Sequence, residues 1–174
     1  MARQIKKVYF PMTRLAELAA RDGGVTRAMA IESAMQSIDS MRPQADAEIE
    51  SSISAIESVA AEQRRGLSEE GLRAILRYGD QIVTLAGTFG YEALDHATKS
   101  LCDLADGMLR AGMGDIAPVL VHVQTIRLMA PGGPTLQTTD TEMMLEELAK
   151  VLKFFDFGSL ASAATEAGPM EESL

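Results

Sequence analysis

Apolar residues recur at steps of three and four along almost the whole chain, and no alternating strand pattern of any length breaks the run. That spacing belongs to amphipathic helices. Pro11 can open a short helix that ends at Asp22, Gly23 and Gly24. Ala28, Ile31, Met35 and Ile38 form one stripe of a helix from Val25 to Met41. Pro43 then interrupts or kinks the chain, and Ile49, Ile53, Ile56 and Ala60 share one face of a helix from Gln44 to Arg65. Ser68 suits an N-cap, with Glu69 and Glu70 in the first turn, where carboxylates complement the helix dipole. That helix is expected to reach about Ala86. The next runs from Tyr91 to Arg110, closed by Gly112 and Gly114, and Asp115 can cap another from Ile116 to Ala130. The sequence PGGP, Pro131 to Pro134, is a hard stop. Thr139 and Glu142 then fit a capping box for a last helix ending near Phe155. Short connections between long helices force antiparallel neighbours, which predicts a helix bundle. The expected organisation is an N-terminal arm and short helix over residues 1–24, a bundle over 25–157, and a flexible Ala/Ser/Glu-rich tail over 158–174 with little to bury.

Composition narrows the class. A chain of 174 residues fits one domain, and at this size folding buries roughly 70% of the unfolded surface, so no covalent staple is needed. The 47% of hydrophobic residues supply that core. The one cysteine, Cys102, excludes an internal disulfide and a cysteine-based zinc cage. No apolar run approaches the roughly 20 residues that span a bilayer, and the basic start, MARQIKK, is not followed by a signal-peptide core. A cytoplasmic protein without a membrane partner is the expectation. The net charge of -9 argues against a nucleic-acid partner, which would call for a basic face. The 11 methionines are read chiefly as filling for helical cores.

The stretch LAGTFGYEAL, Leu85 to Leu94, holds the most specific signal. Gly87 and Gly90 bracket Thr88 and Phe89. A helix ending at Gly87 could use a positive φ there, Gly90 could let the chain re-enter a helix close to the first, and Phe89 would point into the bundle. The surrounding run from Asp80 through Leu109 resembles the core of the histidine-containing phosphotransfer (HPt) domain, whose pattern is roughly H-x-L-K-G-x-x-G-x-x-G-x-x-x-L-x-x-x-A-x-x-L. Ala86, Gly87, Phe89 and Gly90 match its turn. Leu94 and Leu101 match its following helix, with Thr98 where the small alanine usually sits. GMGDIAPVLVHVQTI resembles the family's entry into its fourth helix, so the resemblance covers about Gln44 to Ala130. It implies an all-α fold: an antiparallel four-helix bundle of HPt type with additional N-terminal and C-terminal helices.

The departure from the pattern matters as much as the match. Counting back from Gly87, the family's phosphoacceptor histidine falls on Asp80, its lysine on Val83 and its glycine on Thr84. A carboxylate lacks the imidazole nitrogen that attacks a receiver's aspartyl phosphate. An aspartate can itself be phosphorylated where a divalent cation and a lysine offset the phosphoryl charge, but Val83 supplies nothing comparable. The resemblance therefore implies a degenerate, phosphotransfer-incompetent member: not an enzyme, with no cofactor, and with a response-regulator receiver domain or a histidine kinase as partner.

At about 100° per residue, Asp80 falls at the flank of the apolar stripe Leu72, Ile75, Leu76, Gly79, Ile82, Val83 and Ala86, with Arg73, Arg77 and Thr84 beside it towards solvent. As an HPt-like docking centre, Leu76, Gly79, Asp80, Val83 and Thr84 would meet the partner, with Arg73 and Arg77 at the rim. The plain alternative is a surface carboxylate with Arg77 three residues back, worth a few tenths of a kcal/mol. His96 is expected to be exposed and is the alternative phosphoacceptor, followed by Lys99 and Ser100 but by no glycine turn at the required distance. His122 is read as packing at the edge of the stripe Ile116, Val119, Leu120, Val123 and Ile126. The two histidines lie on different helices without acidic companions spaced as ligands, so no metal site is expected. Phosphate-loop, zinc-protease and nucleophile-elbow motifs are absent. A third class of function is a helical oligomerisation or scaffold protein. A homodimer could use a seam in Val25 to Arg65, because Ile49, Ile53 and Ile56 have a short a/d-like spacing.

Overall fold

The computed structural model describes residues 24–155. The short helix expected after Pro11 and the tail from residue 158 lie outside them. The described residues contain six α-helices and no β-strand: α1 (Arg27–Ser40), α2 (Arg42–Glu62), α3 (Glu69–Phe89), α4 (Glu92–Ala111), α5 (Ile116–Met129) and α6 (Thr138–Phe155). The chain divides into two units between Ser40 and Met41. Within the first unit α1 buries no residue.

In the second unit α2, α3, α4 and α5 each pack on the next, and α5 packs back on α2, so the four close into a ring; α6 packs on α4 and α5. The periodicity explains which faces meet. Ile49, Ile53 and Ile56 of α2, Ile75 and Ile82 of α3, Leu94, Leu101 and Leu104 of α4 and Ile126 of α5 are at most 1% exposed. Leu148 of α6 is equally buried and joins the same core. Each such side chain contributes about 1.5–3 kcal/mol through burial. The isoleucines considered as a dimer seam are therefore spent inside the bundle and cannot face a second copy.

Local chemistry sets the ends. The helical run is interrupted at Pro43 as expected: α1 ends at Ser40, Met41 is a turn, and Pro43 stands in the first turn of α2, where a missing backbone N–H costs nothing. Ser68 caps α3 as expected, its hydroxyl accepting from Gly71 N at 3.1 Å, and Asp115 caps α5 by accepting from Ala117 N at 3.0 Å. The expected capping box of the last helix is displaced. Thr141 N already donates to Gln137 O, so the helical ladder starts at Gln137 and Thr139 lies inside α6.

The connections are tied at both ends of the ring. Leu67 N donates to Gly114 O at 2.7 Å. A Cβ on Gly114 would stand 2.2 Å from Leu67 O, so the crossing of these two connections admits only glycine there. At the start of α2, Arg42 donates to Phe89 O at 3.0 Å and stacks over the Phe89 and Tyr91 rings, while Tyr91 donates to Asp46 at 2.7 Å. Burial, followed by that hydrogen bond, raises the Tyr91 phenol above its ordinary pKa. Arg127 of α5 holds Glu57 of α2 through two nitrogens, at 3.0 and 2.5 Å, and also pairs with Glu50. This fork joins the last helix of the ring to the first.

Candidate functional site

The turn after α3 differs from its expected form. The left-handed residue is Gly90, at φ 78°, while Gly87 lies exposed within α3, which runs on to Phe89. The continuation has a packing cause: one more turn of helix carries Phe89 into burial, as expected for its side chain. Thr84 and Thr88 return their hydroxyls to the carbonyls of Asp80 and Thr84, both at 2.8 Å, and do not divert the backbone.

Asp80 stands in the middle of α3 and is exposed. Thr84 is exposed beside it, and Leu76 and Val83 are half-buried. A shallow groove of about 360 Å³ runs along Asp80, Gln81, Thr84 and Leu85 to Glu48 of α2. Gly79 does not belong to this surface. It is buried where α3 meets α4, and a Cβ there would stand 2.5 Å from Cys102 Sγ. Its role is close helix approach, not partner contact.

The expected basic rim is also differently arranged. Arg73 pairs with Glu69 at 2.5 Å, and the Arg77 guanidinium lies over the Tyr78 ring, 4.8 Å from its centroid. Asp80 has no ion-pair partner among the described residues. Glu48 of α2 shares its groove. Burial first, then the charges of Asp80 and Asp103, push the Cys102 thiol up to about 12. The surface is thus a half-apolar strip along α3 with unpaired acid at its centre, opening towards Glu48 of α2. Cys102 is a neutral, packed thiol.

His96 is exposed on α4, as expected, and lines a groove of about 370 Å³ with Ser100, Asp103 and Leu145, Leu148 and Leu152 of α6. His122 lies deeper than the edge position expected of it, with no exposed surface. Its Nδ1–H donates to Pro118 O at 2.8 Å, so Nε2 is left to accept from the Ser100 hydroxyl at 3.0 Å. The spacing is that of a nucleophile and its base, but the environment opposes proton transfer. Burial lowers the His122 pKa, and a backbone carbonyl, not a carboxylate, faces its other nitrogen. An imidazolium formed there would be desolvated without a counter-charge. Ser100 therefore satisfies a core histidine.

The residues that periodicity brings together are Leu76, Asp80, Val83 and Thr84, which share the outer side of α3. The tertiary pairs Gly79–Cys102, Ser100–His122 and Arg127 with Glu50 and Glu57 have no local sequence signal beyond their residue types. Among the described residues no group of three His, Cys, Asp or Glu side chains is placed to hold a metal ion, and no helix is long and apolar enough to cross a membrane. No family model matches the chain, and neither curated proteins nor solved structures yield a match.

Proposed function

We propose that the chain is a phosphotransfer-incompetent, HPt-like binding module of two-component signalling. It is an antiparallel four-helix bundle of that type, acts in the cytoplasm without catalysis, and docks a response-regulator receiver domain or a histidine kinase on the outer side of α3. The observation that carries this reading is the setting of Asp80: exposed in mid-helix and flanked by half-buried Leu76 and Val83, on one helix of a closed ring of four. An interface centre needs apolar area that can be dried, with charge around it. Leu76 and Val83 supply the first, Asp80 and the Glu48 that shares its groove the second. A carboxylate at position 80 offers a partner a negative charge where the family carries phosphate, though less of it than a phosphoryl group.

The test separates binding from chemistry. Incubated with a phosphorylated receiver domain or an autophosphorylated kinase from the same genome, the chain should bind its partner yet acquire no acid-labile, alkali-stable label. Stable label that disappears in His96→Gln would instead make exposed His96 a phosphoacceptor and the chain an active phosphotransfer protein.

A further inference from the structure

The helix α1 carries a complete apolar stripe and buries none of it. Ile31, Met35 and Ile38 are 45–63% exposed, and Ala28 is exposed beside them. Ala28, Ile31, Met35 and Ile38 repeat at steps of three, four and three, the a and d positions of two heptads. The opposite side carries Ser33, Ser37 and Ser40. Two of these serines return their hydroxyls to the helix, to Ser33 O and Ser37 O. A helix of 14 residues with one apolar face open to water is marginal by itself; covering the stripe would stabilise it.

We infer that this stripe is a self-association seam, and that its occupant is the α1 of a second copy of this chain. The charge pattern favours a copy over an unlike partner. Covered on both copies, the stripe would bury on the order of 1,000 Å² in all, at the small end of the range for specific association, so a weak, concentration-dependent pair is expected. With Ala28 and Met35 at a, Arg27 falls at g and Glu32 at the following e. In a parallel pair each Arg27 then faces Glu32 of the other copy, on both sides of the seam. A seam in α2 is closed, because Ile49, Ile53 and Ile56 are core residues, whereas the apolar stripe of α1 is open. This inference does not depend on docking at α3.

The test uses the full chain. Sedimentation over low-micromolar to near-millimolar concentrations should show a mass rising from monomer towards dimer, and Met35→Asp should move the midpoint at least tenfold higher in concentration. The thermal unfolding of the bundle should not change, since Met35 contributes nothing to its core. A positive arm guards against loss of α1 itself. In a Cys102→Ala background, Ile31→Cys and Ile38→Cys should give disulfide-linked dimers under mild oxidation, and Ser33→Cys, on the opposite side, should not. A chain that stays monomeric at every concentration would overturn the inference, as would equal cross-linking from all three positions. The first result is the one expected if residues 1–23 of the same chain cover the stripe instead.

Discussion

Gly79 offers a substitution whose sign can be worked out from the structure. In an ordinary helix interior, Gly→Ala stabilises by about 1 kcal/mol, because alanine loses less backbone freedom on folding. At position 79 the added Cβ would lie 2.5 Å from Cys102 Sγ, with Thr98 Cγ2 at an ordinary 3.8 Å. Relieving such an overlap by forcing a rotamer or separating two helices costs about 1–3 kcal/mol. The overlap wins, so Gly79→Ala should destabilise the protein by about 1 kcal/mol. In a Cys102→Ala background the obstructing sulfur is gone and the helix term survives. The same substitution should then stabilise by about 1 kcal/mol, a coupling of about 2 kcal/mol, well outside the few tenths expected of independent sites. Urea titration of the four proteins of the cycle measures it, with unchanged m-values as the check that the unfolding transition is the same. If Gly79→Ala stabilised both backgrounds equally, the close approach of α3 and α4 at Gly79 and Cys102 would be refuted.

Two further outcomes follow from buried titratable groups. The Cys102 thiol, raised from 9.0 to about 12, should have about a thousandfold less thiolate at pH 8 than an unperturbed thiol. Alkylation by iodoacetamide should be slowed correspondingly in the folded chain and restored in denaturant. His122, whose pKa is lowered by burial, is neutral in the folded state while the unfolded chain takes up a proton below about pH 6.5. Its contribution is therefore present above that pH and lost as the pH falls towards the folded-state pKa. The urea midpoint should decline over that window, and a folded His122→Leu chain should lose that part of the decline.

Much of the helical layout was legible because apolar spacing and caps are local. Ser68, Asp115, Gly112 and the PGGP stop mark ends that the structure bears out to within a residue or so. Gly87 misled because a glycine in a helix carries no mark of which way its φ will go; the pull of Phe89 into the core decided it. Pro43 marked the break between α1 and α2 because its ring cannot continue a helix. The site was legible only in one dimension. Wheel angles put Leu76, Gly79 and Val83 in the apolar stripe with Asp80 at its flank and Thr84 beyond, but they could not say that Gly79 faces Cys102. Nor could they say that Arg73 and Arg77 turn to Glu69 and Tyr78, because those outcomes depend on neighbouring helices and on rotamers. The partner of buried His122 is likewise a residue 22 positions away, Ser100.

The most direct test of docking at α3 is the affinity of Val83→Lys for a receiver domain that binds the parent chain. Val83 is half-buried, so circular dichroism must first show that the variant keeps its helices. A lysine at the centre of a dried interface should then weaken binding by about 1–3 kcal/mol, roughly fivefold to 150-fold. His96→Ala on α4 should leave affinity near the parent value. A folded Val83→Lys chain that binds the receiver as tightly as the parent would contradict docking through this surface.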